Sequence, residues 1–334
     1  MPISTISEYS ASINTPQMVK ASMLAGGSPV KKNGRQIKYS GGFCVVFPFE
    51  TASKKYAVRC WHVNIADIQR RTKLISEAIH ASQLPYFVGF DYIPDGLMTA
   101  QGSQAIVVMD WVNAKNLKGY ISDHINDSSA LRKLANRFKD MVSDLHKHHL
   151  AHGDLQHGNI MVRDDGSLVL VDYDSMYAPA MDGFTDDIKG LAGYQHPARW
   201  KNRSLNETID YFSELVIYTS ILALAKHPDL WRELNLEDTE TMLFSSEDIS
   251  SKGTSAIFTK LDSDPELKLL SDRIREFLRK DTITELKPLE QSVVAPKEEL
   301  LKDLSKKWED NGYRKKVQTF EDFKSVADFI SKRW

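Results

Sequence analysis

The chain of 334 residues is 42% hydrophobic and 26% charged, with a formal net charge of −2: enough length for one two-lobed domain or two smaller ones, and no global field favouring nucleic acid or an acidic membrane. Cys44 and Cys60 make neither a disulfide framework nor a C-x-x-C pair, which argues against zinc and redox roles. The longest apolar run, Leu215 to Ala225, falls short of the roughly 20 residues of a bilayer span, and the N-terminus lacks a signal-peptide layout, so a reducing cytoplasmic location is expected.

Residues 1–35, rich in Ser, Thr, Gly and Pro, read as an extension or strap rather than a core element. From Ile37 to Val63 the pattern turns strand-like: FCVVFPFE, the polar turn Thr51 to Lys55, and YAVRCW predict a hairpin. Ile65, Ile68, Ile75 and Ile79 share one face of a helix predicted over 65–81. The short basic runs Arg70-Arg71 and Arg314-Lys315-Lys316 read as solvated faces. AIVVMDWV is short and β-branched, as a buried strand should be.

After Val112 the character is helical. Leu131, Leu134, Ala135, Phe138, Met141, Val142 and Leu145 recur at helical spacing. NIMV and SLVLVDY then predict two strands, joined by a hairpin at Asp164-Asp165-Gly166. Asp210 to Lys226 is apolar nearly all round and is expected inside the fold. The tail predicts helices over Glu298 to Trp308 and after Thr319, whose spacing to Asp322 suits a capping box. A small β-rich lobe followed by a larger helical lobe results.

The chemistry is concentrated in His152-Gly153-Asp154-Leu155-Gln156-His157-Gly158-Asn159-Ile160 and Leu170-Val171-Asp172-Tyr173-Asp174. Asp154 and Asn159 lie on one loop, and the hairpin folds Asp172 back toward Asn159. Three oxygen-bearing side chains can therefore converge on one cleft. Phosphoryl transfer asks for such a set: a carboxylate to orient an acceptor hydroxyl, and hard oxygen ligands for magnesium. Unrelated turns are the plain alternative, since Asp and Gly favour turns.

These segments resemble the H-R-D-x-x-x-x-N and D-F-G motifs of the protein-kinase superfamily, and most of all a bacterial branch of atypical protein-kinase-like domains. Gly193-Tyr194-Gln195-His196-Pro197-Ala198 is similar to the segment G-Y-x-A-P-E, and Asp210-Tyr211-Phe212-Ser213 to D-x-W-S. The resemblance implies an α+β fold of two lobes. An antiparallel β-rich N-lobe would span 36–112 and a helical C-lobe 113–285, between the extension at 1–35 and a helical tail at 286–334. It implies a nucleotide partner, ATP, with magnesium as cofactor, and transfer to Ser/Thr hydroxyls of a protein substrate or of the chain itself. Nucleic-acid and membrane partners are not expected, and the sequence leaves the oligomeric state open.

Carried over residue by residue, the resemblance makes Asp154 the catalytic base, Asn159 and Asp172 the metal ligands, and Tyr173 the occupant of the Phe position. Asp210 would brace the backbone of the catalytic loop, or serve as a helix N-cap. Met109 would be the gatekeeper of a hinge at Met109-Asp110-Trp111-Val112, with backbone groups of Asp110 and Val112 meeting adenine; Trp111 otherwise merely packs. His152 reads as structural, and His157 as a packed loop histidine rather than a second base.

Departures from the family pattern are equally legible. Arg59 stands where strand three carries lysine; it is expected to contact phosphate, a surface-facing arginine being the alternative. Its helix partner would be Glu77, although that residue points away from the isoleucine stripe. Gly41 and Gly42 keep part of a glycine-rich loop, with Cys44 at the third glycine. Gly153 replaces the arginine of H-R-D, so switching by phosphorylation of Thr185 or Ser175 is not expected. Asp174 replaces the glycine of D-F-G and reads as a turn-stabilising carboxylate. Gly153 also suits small-molecule kinases of the aminoglycoside and choline type, and Arg59 with Cys44 suits a nucleotide-binding pseudokinase scaffold.

Overall fold

The computed structural model describes residues 3–64 and 67–293, so the expected tail helices, the basic run at Arg314 and the isoleucine at position 65 lie outside the described residues. The chain opens with helix α1 (Ile6–Ile13), started by a capping box: the Glu8 amide donates to Thr5 Oγ1 at 3.2 Å, and the Thr5 amide donates to the Glu8 carboxylate at 2.7 Å. It leads to short strands β1 (Ser28–Pro29), β2 (Lys31–Lys32), β3 (Arg35–Gln36) and β4 (Tyr39–Ser40), β2 and β3 turning through Asn33-Gly34. The main hairpin is β5 (Cys44–Glu50) and β6 (Lys55–Trp61), as predicted. Helix α2 (Ile68–Ser82) follows, then β7 (Phe90–Thr99) and β8 (Gly102–Asp110). The sheet is antiparallel, in the order β1-β5-β6-β8-β7, with β4 also on β5.

Alternation along these strands gives the sheet two faces. Val45, Phe47, Phe49, Val58, Cys60, Ile106 and Val108 share one core cluster with Tyr9, Ile13, Ala21 and Leu24. The N-terminal segment is therefore no strap laid over the surface. Tyr9 is 1% exposed, and its hydroxyl donates to the Trp61 carbonyl at 2.9 Å. The expectation that these residues lie outside the core is corrected: the sheet face turned away from the cleft is apolar, and the N-terminus covers it.

The larger lobe carries β9 (Lys115–Asn116), α3 (Leu117–Asp123), α4 (Ser128–Lys147), β10 (Ile160–Val162), β11 (Leu168–Leu170), α5 (Tyr211–Lys226), α6 (Asp229–Glu233), α7 (Ser246–Ser250), α8 (Ala256–Asp262) and α9 (Pro265–Leu278). The buried face of α4 is the predicted one, Leu131 to Leu145. From Phe212 to Ala225, α5 is buried on every side. Together with the turn before it, the span Glu207–Lys226 is long and apolar enough to cross a membrane by length and composition, but its apolar window is 89% buried, as in a core helix. The α+β architecture with a β-rich small lobe and a helical large lobe is the one expected.

Candidate active site

Asn159 and Asp172 meet because the strands between them pair. Ile160 faces Leu170 across β10 and β11, and the Val171 amide donates to the Asn159 carbonyl at 3.0 Å, so the two residues sit at the same open end. Asp172 holds a left-handed φ of 65°. A non-glycine residue in that region costs on the order of 1–2 kcal/mol, and here the turn leaves the carboxylate 56% exposed while Tyr173 goes fully into the core. The Tyr173 hydroxyl donates to the Leu170 carbonyl at 2.5 Å and accepts from the Val88 amide at 3.0 Å, and its ring meets Phe87, Phe90 and His152 edge-on.

Asp154 is fixed from several sides. The Asn159 side-chain amide donates to its carboxylate and to its carbonyl, both at 2.9 Å, Gln156 donates at 3.1 Å, and the Leu191 amide at 3.3 Å. Since the Asn159 nitrogen is committed to Asp154, its carboxamide oxygen is what remains for a cation. One carboxylate and one amide oxygen are hard ligands suited to magnesium, which normally completes its shell with water and phosphate oxygens. Among the described residues no group of three or more His, Cys, Asp or Glu could hold a metal unaided. His152 packs beneath this loop: its Nε2 donates to the Val171 carbonyl at 3.0 Å and its Nδ1 accepts from the Asp154 amide at 3.3 Å. His157 is buried against the Tyr194 hydroxyl at 2.6 Å, and burial pushes its pKa down, as for a packed loop histidine.

The loop's backbone is clamped by Asp210, which accepts from the amides of His152 and Gly153, the latter at 3.0 Å. Burial pushes this carboxyl above the usual aspartate range, against the pull of His152, Arg199 and the two amides. Gly153 has φ 80°, and a Cβ there would strike the Ser175 carbonyl, so no arginine could occupy the position. Arg199 supplies a cation from elsewhere. Its guanidinium donates to the Gly153 carbonyl at 2.6 Å and forks onto Asp186 at 2.9 Å through Nε and Nη2, all of it buried. Lys189 joins the same carboxylate at 3.1 Å.

Arg59 lies in β6 between Val46 and Val107, on the face opposite Val58 and Cys60. Its guanidinium pairs with Asp174 and stands 3.5 Å from Asp172. Burial works against its charge, but Asp174, the Cys44 thiol and Asp172 outweigh that and hold its pKa above the ordinary arginine value. The expected pair with Glu77 is not formed. Glu77 sits on the exposed face of α2, 3.8 Å from Lys73, because it falls half a turn from the buried stripe. Nor is Arg70-Arg71 a uniformly solvated run. Arg70 stacks over the Phe184 ring, while Arg71, three residues after Ile68 and four before Ile75, lies on the buried stripe itself at 7% exposure. Its Nε donates to the Asp174 carbonyl at 2.8 Å, and its Nη1 to the Thr185 carbonyl at 3.4 Å.

Gly41 and Gly42 form the tip of the β4–β5 turn, closed by the Gly41 amide donating to the Cys44 carbonyl at 2.9 Å and tied to β6 by the His62 ring on the Gly41 carbonyl at 3.1 Å. At the far side, Met109 pairs with Ala57 and Phe90, Asp110 accepts from Lys54 at 2.6 Å, and the Asp110 amide donates to the Gly89 carbonyl at 3.1 Å. Trp111 meets the Tyr39 ring at 6.4 Å and lies under the Lys55 ammonium at 4.4 Å.

With that geometry in place, residues 40–285 match the profile described as the protein kinase domain, about three quarters of the chain. The chain belongs to the protein kinase family. No curated protein matches it. Within this kinase domain the sequence reading missed four features that the fold brings to the site: Asp174 as partner of Arg59, Arg71, the Arg199–Asp186 pair, and Gly190, where a Cβ would strike the Asp154 carboxylate and Gln195. Arg71 had a signal, its place on the helical stripe. The others depend on the path of the chain between Asp174 and Arg199, which no local periodicity describes.

Proposed function

We propose that the chain is an ATP- and magnesium-dependent kinase acting on Ser/Thr hydroxyls of proteins, itself included. The observation that carries this is the meeting of Asp154, Asn159 and Asp172 at one loop end, with a buried arginine 3.5 Å from the last of them. Asp154 accepts the hydroxyl proton and orients its oxygen; the amides of Asn159, Gln156 and Leu191 keep that carboxylate from turning away. Asn159 and Asp172 hold the metal, which when bound neutralises charge building on the phosphates. Arg59 donates to phosphate oxygens as a fork rather than a point charge. Gly41 and Gly42 leave backbone room over the phosphates. Because the Asp110 amide is bonded to Gly89, a purine at the hinge would meet the Asp110 carbonyl and the Val112 backbone beside Met109.

Protein substrates are favoured by an exposed apolar side chain beside Asp154: Leu191, whose amide touches it, is 40% exposed. Control by phosphorylation of the segment is not part of this reading. Ser175 is buried, and Arg199, which holds the catalytic loop at the Gly153 carbonyl, is already committed to Asp186. A cytoplasmic setting is consistent with the two free thiols, Cys44 and Cys60.

The test is transfer of labelled phosphate from ATP in magnesium. The wild type should label itself or an added protein, and Asp154→Ala and Asp172→Ala should each abolish the signal. Label on an amino alcohol or a sugar, with none on protein, would establish the small-molecule reading that Gly153 suggests. Nucleotide binding without turnover in the wild type would make the chain a scaffold.

A further inference from the structure

We infer that Asp174, not a helix glutamate, is the carboxylate that positions Arg59 over the phosphates, and that helix α2 is docked on the same segment by Arg71. The charges across this junction are reversed from those expected: the helix contributes a buried cation, and the segment following the metal ligand contributes the carboxylate. This deepens the function proposed above and rests on its reading of Arg59 as the phosphate contact.

A buried guanidinium needs an anion beside it, since an isolated charge is expelled from low dielectric. The side chain of Arg59 is 7% exposed, and its carboxylate contacts are Asp174, largely buried, and Asp172, which faces the cleft. Glu77 is engaged with Lys73 on the outer face of α2 and cannot reach it without reorienting the helix. Asp172 does not serve as the anchor, because it stands farther off and its oxygens are those proposed to bind metal. Asp174 is therefore the residue whose carboxylate holds the guanidinium, through Oδ2 on Nη2.

Arg71 completes the arrangement. Its bond to the Asp174 carbonyl at 2.8 Å comes from the buried stripe of α2, so the helix grips the main chain of the residue whose side chain holds Arg59. Asp174 thus has two duties: the carboxylate orients the phosphate cation, and the carbonyl docks the helix. Arg59 and Asp172 are consequently positioned by one short stretch, residues 172–174. Asp174 acts through Arg59 and is a positioning residue.

The test compares Asp174→Asn, Glu77→Gln and Arg59→Gln in the full chain, using magnesium-ATP turnover and the affinity for a fluorescent N-methylanthraniloyl-ATP. Asp174→Asn should weaken nucleotide binding and turnover, each by about tenfold, the scale of one lost charge-assisted pair. Asp174→Glu should recover part of the loss, whereas Glu77→Gln should stay within about twofold, as for an exposed pair. Combining Asp174→Asn with Arg59→Gln should give no more loss than Arg59→Gln alone, because both changes act through one contact. A merely structural aspartate would give additive losses and an unaltered nucleotide affinity. If Arg59→Gln is impaired while Asp174→Asn is normal, or if Glu77→Gln carries the loss, this inference falls and the assignment of Arg59 survives. If Arg59→Gln binds and turns over nucleotide normally, both fall. Should Asp174→Asn fail to fold, Glu77→Gln and Asp174→Glu still decide: a loss in the first with full activity in the second overturns the inference, and the reverse supports it.

Discussion

One constraint on the site is set by a residue without a side chain. Gly190 lies so near Asp154 that a single added methyl would meet the carboxylate. Asp154 is already held by Asn159 and Gln156, so the methyl must turn it out of line. Gly190→Ala should lower turnover about 100-fold, the scale of a displacement near 1 Å at a reacting group. Its melting temperature should stay within a few degrees of wild type, because the conflicts are with two side-chain ends, those of Asp154 and Gln195, and with no backbone. A normal rate in the Gly190→Ala enzyme would mean that Asp154 is not held as described. At this scale the sequence was informative about what each catalytic group is, and silent about what presses on it. Asp154, Asn159 and Asp172 could be read because their spacing and the hairpin between them are local. Gly190 approaches Asp154 from 36 positions away, through a segment with no regular periodicity.

Among the elements, the segment between Asp174 and Arg199 combines buried apolar side chains, Met176, Met181 and Tyr194, with a buried cluster of charges. Asp186, itself out of water, receives a two-pronged bond from the buried Arg199 and a further contact from the partly buried Lys189. Breaking one side of such a cluster leaves the other charge without its partner, which costs about 3–5 kcal/mol. Asp186→Asn should lower stability by that amount in urea unfolding, and should slacken the Gly153 carbonyl that Arg199 holds, so that turnover falls even where the chain remains folded. A milder electrostatic support lies at α9. Asp264 caps that helix, accepting from the Glu266 amide at 2.9 Å and pairing with Lys226 at 2.7 Å. The Lys226 bond, aided by the Glu266 and Leu267 amides, pulls its pKa down to about 2. The unfolded chain, with an aspartate near 3.9, binds more protons in between. The contribution is therefore complete above about pH 4 and is lost as pH falls through about 2. Asp264→Asn keeps a capping oxygen and should flatten the dependence of melting temperature on pH across that window; an unchanged acid limb would count against the pair. Helices were the most legible elements: the buried face of α4 could be written down residue by residue, as 3.6-residue periodicity allows. Strand β7 was not foreseen; it carries Pro94-Asp95-Gly96, residue types usual in turns. In the sheet this stretch is a bulge, where pairing with β8 slips between Ile93 and Leu97.

For the molecule as a whole, two lobes in the right order followed from the change of pattern near Val112, whereas the place of the N-terminal residues did not. Their Ser, Thr and Gly content hid four apolar side chains, Tyr9, Ile13, Ala21 and Leu24, spaced too irregularly to announce a buried face. Removing residues 1–30 should uncover the outer face of the sheet. The shortened protein should aggregate, or lose several degrees of melting temperature, while its catalytic residues remain unaltered; a shortened protein as stable as the full chain would show that this cover is dispensable. The cover also has a cost in time. Tyr9 closes on Trp61 and Gln104, which are made roughly 50 and 95 residues later. At a synthesis rate of about 5–20 residues per second, the first helix leaves the ribosome many seconds before its counterpart exists. For that interval its tyrosine and isoleucine must wait in water or with a chaperone, and the small lobe cannot be completed from its beginning onward but only from its far strand back.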